Sequence, residues 1–357
     1  MGEIELAFAA TEADILGVTG SNGKTTTVEW LGHLLRGTEE YSGAVVAGNM
    51  GYALCDAVVD HPEASVFAVE LSSYQLESAV DLRVRSAAFL NLTPDHLARH
   101  GTMKNYGDAK ARIFMNQRPE DTAVLNLDDP LLVPYRKAPR GRVLYFSLLE
   151  GVSAGAWLDG SGILRYRDGS RETAVIKGEQ LSLPGRHNVA NALAVICMGA
   201  SLGIDPAGMS DLLASFRGVP HRLEELGTIN GASWVNDSKS TNIDSLRVAL
   251  ESFHGDVILL AGGLAKNSDY SVLSELIRER VKLLVLFGAD GGSLGEQWAG
   301  TVPSVVTDDL EEAAEIAFRD SAPGDTVLLS PGCASFDRYR NFEERGEHFR
   351  RITGRFS

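Results

Sequence analysis

The stretch ILGVTGSNGKTTTVEW, which begins at Ile15, restricts the fold of this chain more than any other. A short apolar run enters a glycine-rich turn, and the turn passes straight into a helix-like stretch. Such a junction belongs at the carboxyl edge of a parallel sheet. Gly20 and Gly23 let the backbone bend around Ser21 and Asn22 so that successive N–H groups face an anion, and the helix N-terminus adds roughly half a positive charge there. The turn suits the phosphates of a nucleotide: Lys24 would reach the β- and γ-phosphates, and Thr25 or Thr26 would hold Mg²⁺. The strict phosphate-loop pattern is not met, because Val18 stands where an early glycine belongs.

The runs DILGVTG, GAVVAGN, SVFAVEL, SAAFLNL and DTAVLNL alternate with helix-like stretches, which predicts a parallel sheet with helices on its faces. Residues 141–183 read differently. RVLYFSL, GAWLDG, GILRYRD and TAVIKGEQLSL are separated by Gly and Asp turns and predict a small antiparallel patch. After FRGVPHRLEELG a second strand–helix series follows, through ASWVNDS, DVILLAGG, KLLVLFGA and DTVLLSPG. The expected fold class is therefore α/β in two domains. Residues 1–218 form a P-loop-type ATP-binding domain, and 219–357 form a Rossmann-like one.

A formal charge of −15 disfavours nucleic acid or an anionic membrane as partner. No apolar run reaches the ~18 residues of a membrane span, and the acidic start MGEIELAFAATEAD is unlike a signal peptide. The three cysteines, Cys55, Cys197 and Cys333, lack zinc-ligand spacing and read as reduced thiols. A soluble cytoplasmic protein is expected.

FAVELSSYQLE ends a strand at Glu70 and continues through Ser72, Ser73 and Gln75, while LNLTPDHLARHG places His96 just after another strand. Each residue alone also suits a structural role. On the same sheet edge as the glycine turn, a carboxylate and an imidazole are well placed for metal and phosphate. Lysine is scarce, with eight against twenty-five arginines, yet Lys24, Lys110, Lys239 and Lys266 all sit beside polar motifs. A buried lysine can lose its proton and an arginine cannot, although any one of these could be an ordinary surface cation. INGASWVNDSKSTNIDS gathers Asn236, Asp237, Lys239, Thr241 and Asn242 in one turn, and LLSPGCASFDRYRNFEERG follows a strand with small residues and aromatics that suit a small carboxylate.

With those residues laid out, the chain resembles the Mur ligases, ATP-dependent enzymes that add amino acids to the peptidoglycan precursor. GSNGKTTT, AGNMG, ELSSYQLE, LNLTPDH, NYGDAKARIF, LPGRHNVANA, GVPHRLE, NDSKSTN and SPGCASFDRYRNFEERG match family motifs in order along essentially the whole chain. The last two resemble the D-glutamate-adding branch. The resemblance implies ATP and Mg²⁺ as cofactors, with UDP-N-acetylmuramoyl-L-alanine and D-glutamate as substrates. It assigns Lys24, Thr25 and Thr26 to ATP and Mg²⁺, with Glu70 and His96 as further metal ligands. Asn49, Ser72 and Gln75 would face the muramoyl-alanine. Lys110 would be carbamylated by CO₂ and lend its new carboxylate to the metal. Asn188 and Asn191 would contact adenine, while Arg222 and Asp237 would meet the ATP phosphates and ribose. Lys239, Thr241, Lys266, Ser335, Phe336 and Phe342 would form the D-glutamate pocket.

The family places a uridine-binding domain of ~90 residues, a usual size for a small domain, ahead of the ATP domain, and the resemblance implies that it is absent here. A start assigned too late, a natural truncation, or a uridine-binding domain on a second chain would each account for this. On that footing the chain is expected to bind ATP and Mg²⁺ but to turn over the nucleotide substrate poorly. The alternatives are a catalytically silent ATP-binding remnant and an amide ligase of the folylpolyglutamate synthetase type, which the two D-glutamate motifs disfavour.

Overall fold

The structure, a computed structural model, describes residues 2–49, 52–183, 185–253, 255–265 and 269–356. Lys266, expected in the D-glutamate pocket, lies outside the described residues. The chain divides into two compact units, Met1–Gly218 and Val219–Ser357.

The first unit is built on one nine-stranded sheet. Its strands in chain order are β1 (Asp14–Thr19), β2 (Val45–Gly48), β3 (Val66–Glu70), β4 (Ser86–Phe89), β5 (Thr122–Asn126), β6 (Arg142–Ser147), β7 (Gly155–Leu158), β8 (Ile163–Asp168) and β9 (Arg171–Lys177). Their order across the sheet is β2-β3-β1-β4-β5-β6-β7-β8-β9. Strands β1 and β3 are apolar on both faces because helices cover both sides, as parallel sheets require. The helix Lys24–Arg36 buries Val28, Trp30, Leu31, Leu34 and Leu35, and packs beside the helix Arg186–Ser201.

The antiparallel region is narrower than the sequence suggests. β6 pairs in parallel with β5, and β7 in parallel with β6; among the described residues the antiparallel pairs of this sheet are β7–β8 and β8–β9, so β8 alone runs against the rest. The helix Arg186–Ser201 lies against β4 to β7, so these strands share one apolar cover. Alternating side chains reveal a half-exposed strand but not the direction of its neighbour.

From β1 the chain moves outward to β2 on one side, whereas from β4 it moves to β5 on the other. Neighbours whose connections diverge leave a crevice at their carboxyl ends, where ligands bind in open α/β sheets. The turn after β1 and the loop after β4 both open there.

The second unit carries β10 (Glu224–Ile229), β11 (Ala232–Asn236), β12 (Val257–Gly262), β13 (Val281–Phe287), β14 (Ser304–Val306) and β15 (Thr326–Gly332), ordered β10-β11-β15-β12-β13-β14. Among the described residues of this unit the β10–β11 pair is the only antiparallel pair of strands. Alternate strand residues feed two cores. Val257, Leu259, Leu284 and Leu328 pack with Leu246, Leu250 and Ile277 on one face. Ile258, Leu260, Val285 and Leu329 pack with Leu310, Ala314, Phe349 and Ile352 on the other. This is a doubly wound Rossmann-like unit.

Candidate active site

In the first unit, β1 ends at Thr19 and the chain turns through Gly20, Ser21, Asn22 and Gly23 into the helix. Gly23 has φ +83, and a Cβ there would lie 2.6 Å from the side-chain oxygen of Asn191. Backbone conformation and crowding both demand glycine. Asn191 is buried against this turn and donates to Asn188 Oδ1 at 3.3 Å, so its contacts buttress the loop. Two residues that the sequence did not single out pin the turn to the loop after β4. Asn91 accepts from Ser21 N through its carbonyl (3.0 Å) and from Asn22 N through its side chain (2.8 Å). Thr93 N donates to Ser21 Oγ at 2.9 Å. The strand-end position of Asn91 was the available signal.

Two lysines converge on one carbonyl. Lys24 Nζ donates to Gly20 O at 3.0 Å and to Ser21 O at 2.9 Å. Lys110 Nζ donates to the same Gly20 O at 2.7 Å. Lys110 lies one turn beyond Tyr106 on the helix Met103–Ala111, and its ammonium sits 4.6 Å from the centre of the Tyr106 ring. That i, i+4 spacing was a readable sign that Tyr106 belongs to the site. Lys110 is 1 % exposed. Burial, reinforced by the Lys24 charge, pushes its pKa down to about 7. The Tyr106 hydroxyl, 3.3 Å from Ser21 Oγ, is pushed up to about 12 by burial.

Glu70 ends β3, and its Oε1 accepts from Asn49 Nδ2 at 3.1 Å. Its other oxygen is buried with no hydrogen-bond partner. An orphaned carboxylate oxygen at this edge is a place for a hard cation. Among the described residues no three His, Cys, Asp or Glu side chains group as a metal site. Mg²⁺ commonly takes one or two carboxylates and completes its shell with phosphate oxygens and water. Thr25 and Thr26 open the helix beside the turn. His96 has φ +52 and is half exposed, with its Nε2 3.3 Å from Asp95 Oδ2. Ser72 and Gln75 form a capping box on the helix Ser73–Glu77: Ser72 Oγ accepts from Gln75 N, and Gln75 Oε1 accepts from Ser72 N at 3.0 Å.

In the second unit, Arg222 lies between His221 (φ +62) and Leu223 (φ +44). With Leu223, Asp237 and Ser245 it lines a small cavity. Asp237 is 4 % exposed, and burial pushes its pKa up to about 6 against the pull of Arg222. Its oxygens already accept from Leu223 N (3.1 Å) and Ser330 Oγ (2.8 Å). Asn236 Nδ2 lies 3.0 Å from His221 Nδ1. Lys239 Nζ sits 5.7 Å from the Phe342 ring centre, while Ser335 is buried and Phe336 is 71 % exposed. Thr241 precedes Asn242, whose side chain caps the helix Ile243–Glu251. Arg345, also missed, is fully buried. It donates to Ser238 Oγ (3.0 Å), Ser238 O (2.8 Å) and Cys333 O (3.1 Å). It lies in the SPGCASFDRYRNFEERG motif, where nothing sets it apart from its neighbours Arg338 and Arg340.

A glycine turn with converging lysines on a parallel sheet, joined to a doubly wound unit, defines a P-loop-type nucleotide-binding protein with a second α/β unit. Residues 18–199 match the Mur ligase middle domain, and residues 221–333 match the Mur ligase glutamate ligase domain. A UDP-N-acetylmuramoylalanine–D-glutamate ligase of Pelotomaculum thermopropionicum is 41 % identical over 99 % of this chain and 77 % of its own length. The chain belongs to the Mur ligase family. Its fold is also shared with MurF of Acinetobacter baumannii, with TM-score 0.69 and 18 % identity over 99 % of this chain and 78 % of that one. FolC of E. coli gives TM-score 0.71 and 17 % identity over 99 % of this chain and 93 % of that one. Among the described residues no helix is long and apolar enough to cross a membrane.

Proposed function

We propose that this chain is an ATP-dependent ligase that joins D-glutamate to UDP-N-acetylmuramoyl-L-alanine in peptidoglycan precursor synthesis. The observation that carries the reading is the meeting of Lys24 and Lys110 on the Gly20 carbonyl, in a chain 41 % identical to a ligase of that name.

On this reading the terminal carboxylate of the muramoyl-alanine attacks the γ-phosphorus of ATP, and ADP leaves with the bonding electrons. The D-glutamate amine then attacks the acyl phosphate carbon, phosphate departs, and the amine proton passes to solvent. Bound Mg²⁺ supplies Lewis-acid neutralisation of the anions that meet in the first step. Lys24 is placed to exchange its two carbonyl contacts for phosphate oxygens. Thr25, Thr26, Glu70 and His96 would hold the cation. Asn49, Ser72 and Gln75 face the muramoyl-alanine, Asn188 and Asn191 flank the adenine, and Arg222 and Asp237 serve the phosphates and ribose. Lys239, Thr241, Lys266, Ser335, Phe336 and Phe342 form the amino-acid pocket.

Lys110 is the residue whose chemistry departs most from the ordinary. A typical lysine is neutral about once in 2,500 at pH 7, whereas one with a pKa of about 7 is neutral roughly half the time. A neutral amine adds to CO₂, forming an N–C bond and releasing a proton. Lys110 thereby becomes a carbamate, an anion that would suit a cation held by Glu70.

The test is mass-spectrometric detection of the amide product with ATP, UDP-N-acetylmuramoyl-L-alanine and D-glutamate, which registers even slow turnover. Product with D-glutamate and none with L-glutamate or a folate acceptor is expected. Product with L-glutamate or folate alone, or none with D-glutamate from protein that binds ATP, overturns the reading.

A further inference from the structure

Two loops leave the carboxyl edge of the first sheet on either side of β1. One follows β3 through Glu70 and Ser72 into the helix Ser73–Glu77, and the other follows β4 through His96 into the helix Leu97–His100. His100 lies between them. Its Nε2 is 3.0 Å from Ser73 Oγ, and its Nδ1 is 3.1 Å from Glu77 Oε1, with the ring side chain 1 % exposed. A carboxylate only accepts, so in the neutral ring Nδ1 donates to Glu77 and Nε2 accepts from the Ser73 hydroxyl. Glu77 also accepts from Arg99 at 2.8 and 3.1 Å. The other face of the imidazole meets the Tyr106 ring, with centroids 5.1 Å apart.

We propose that His100 is a positioning residue for the phosphate and metal site, holding His96 at a fixed distance from the Glu70–Gln75 segment. The proposal rests on the ligase reading for what the site holds.

Serine, histidine and glutamate in this chain look like a nucleophile relay, but Ser73 is 1 % exposed and cannot meet a substrate. The arrangement therefore acts through geometry. His96 has a left-handed backbone, a conformation a non-glycine residue keeps only where its surroundings hold it. Its ring is half exposed, with Asp95 at 3.3 Å and Tyr74 edge-on at 5.1 Å between centroids. What fixes His96 is the next turn of chain, where Arg99 N and His100 N both donate to His96 O at 3.0 and 3.1 Å. That turn is in turn anchored by the buried imidazole. Partners that orient a metal-binding side chain typically change metal affinity by ~10- to 100-fold when removed.

The experiment measures binding of Mn²⁺, as a probe for Mg²⁺, by electron paramagnetic resonance with a non-hydrolysable ATP analogue. Melting temperature is recorded in parallel. His100→Ala is expected to weaken Mn²⁺ binding about tenfold, and His100→Asn, which keeps a donor near Nδ1, is expected to recover most of it. Because His100 acts through His96, His96→Ala combined with His100→Ala should bind no more weakly than His96→Ala alone. Wild-type Mn²⁺ affinity in folded His100→Ala, or additive losses in the double variant, overturns the proposal. If His100→Ala does not fold, failure of folded His100→Asn to follow the double-variant pattern overturns it equally. Should the wild type bind Mn²⁺–nucleotide as expected but make no D-glutamate amide, the ligase reading fails and the positioning role stands.

Discussion

Each unit buries one cation among uncharged oxygens, and the two cations behave differently. Lys110 is 1 % exposed and donates to the Gly20 carbonyl. Arg345 is 0 % exposed and donates to two carbonyls and one hydroxyl. Among the described residues neither forms an ion pair. Burial lowers both pKa values, to about 7 for the lysine, with Lys24 adding repulsion, and to about 10 for the arginine. The ammonium is a point charge that yields its proton when water is withdrawn, whereas the guanidinium spreads its charge over a rigid fork and keeps it. The first unit thus holds a cation that can give up its proton, the reagent of the proposed reaction, and the second a strut. From the helix Phe342–Thr353, Arg345 fastens Ser238, beyond β11, to Cys333, beyond β15.

The largest expected effect tests the reagent. Lys110→Ala should lower amide formation on the order of a thousand-fold, about 4 kcal/mol of transition-state stabilisation. Formate or acetate in the vacated space should partly restore it, by supplying the missing carboxylate. Lys110→Arg keeps a charge but cannot take up CO₂, and it should remain inactive with or without added carboxylate. An active Lys110→Arg enzyme would erase the distinction between the two cations.

The strut is tested by stability. Arg345→Met leaves Ser238 O and Cys333 O buried without their donors, and each orphaned group costs about 1–3 kcal/mol. A loss on the order of 3 kcal/mol is expected in the second unit alone. Urea unfolding followed through hydrogen exchange of β11 and β15 should show it, with β1 and β4 unchanged. Arg345→Lys should recover only part, since one ammonium cannot span three acceptors. Full recovery by lysine would mean that charge alone is needed there.

This contrast was half legible in the sequence. The glycine turn, the sheet-edge Glu70 and the alternation of apolar runs carry local signatures, because a phosphate turn is built from consecutive residues. Lys110 stood out through the scarcity of lysine and the family motif around it. Arg345 also lies in a family motif, but nothing there marks it apart from Arg338 and Arg340: what makes it special is its meeting with Ser238, 107 positions away. Asn91 and Thr93 were hidden for the same reason, since their hydrogen bonds bridge about seventy positions to the glycine turn. Ser72 and Gln75 show a different limit. Their spacing is also that of a capping box, and the structure uses both side chains in that way. A single sequence does not distinguish a residue that caps a helix from one that also contacts a substrate.

The smallest effect expected lies in the pH dependence of stability. Lys110 has a folded-state value of about 7 against an ordinary 10.5, so between those limits the unfolded chain holds more protons than the folded one. Stability from this site therefore rises as the pH rises through that window, by at most about 1.4 kcal/mol per pH unit. Arg345, at about 10 against 12.5, contributes nothing to the slope until the pH nears its own value. Asp237 is raised from 3.8 to about 6, so its contribution falls with rising pH, and only below that window. Between pH 7 and 9 Lys110 should thus dominate over these other two buried groups. Urea midpoints measured in CO₂-free buffer across that range should climb in the wild type and flatten in Lys110→Met, with no comparable change in Arg345→Met. An equal slope in wild type and Lys110→Met would place the lysine's proton where an ordinary lysine keeps it, and the carbamate would lose its chemical basis.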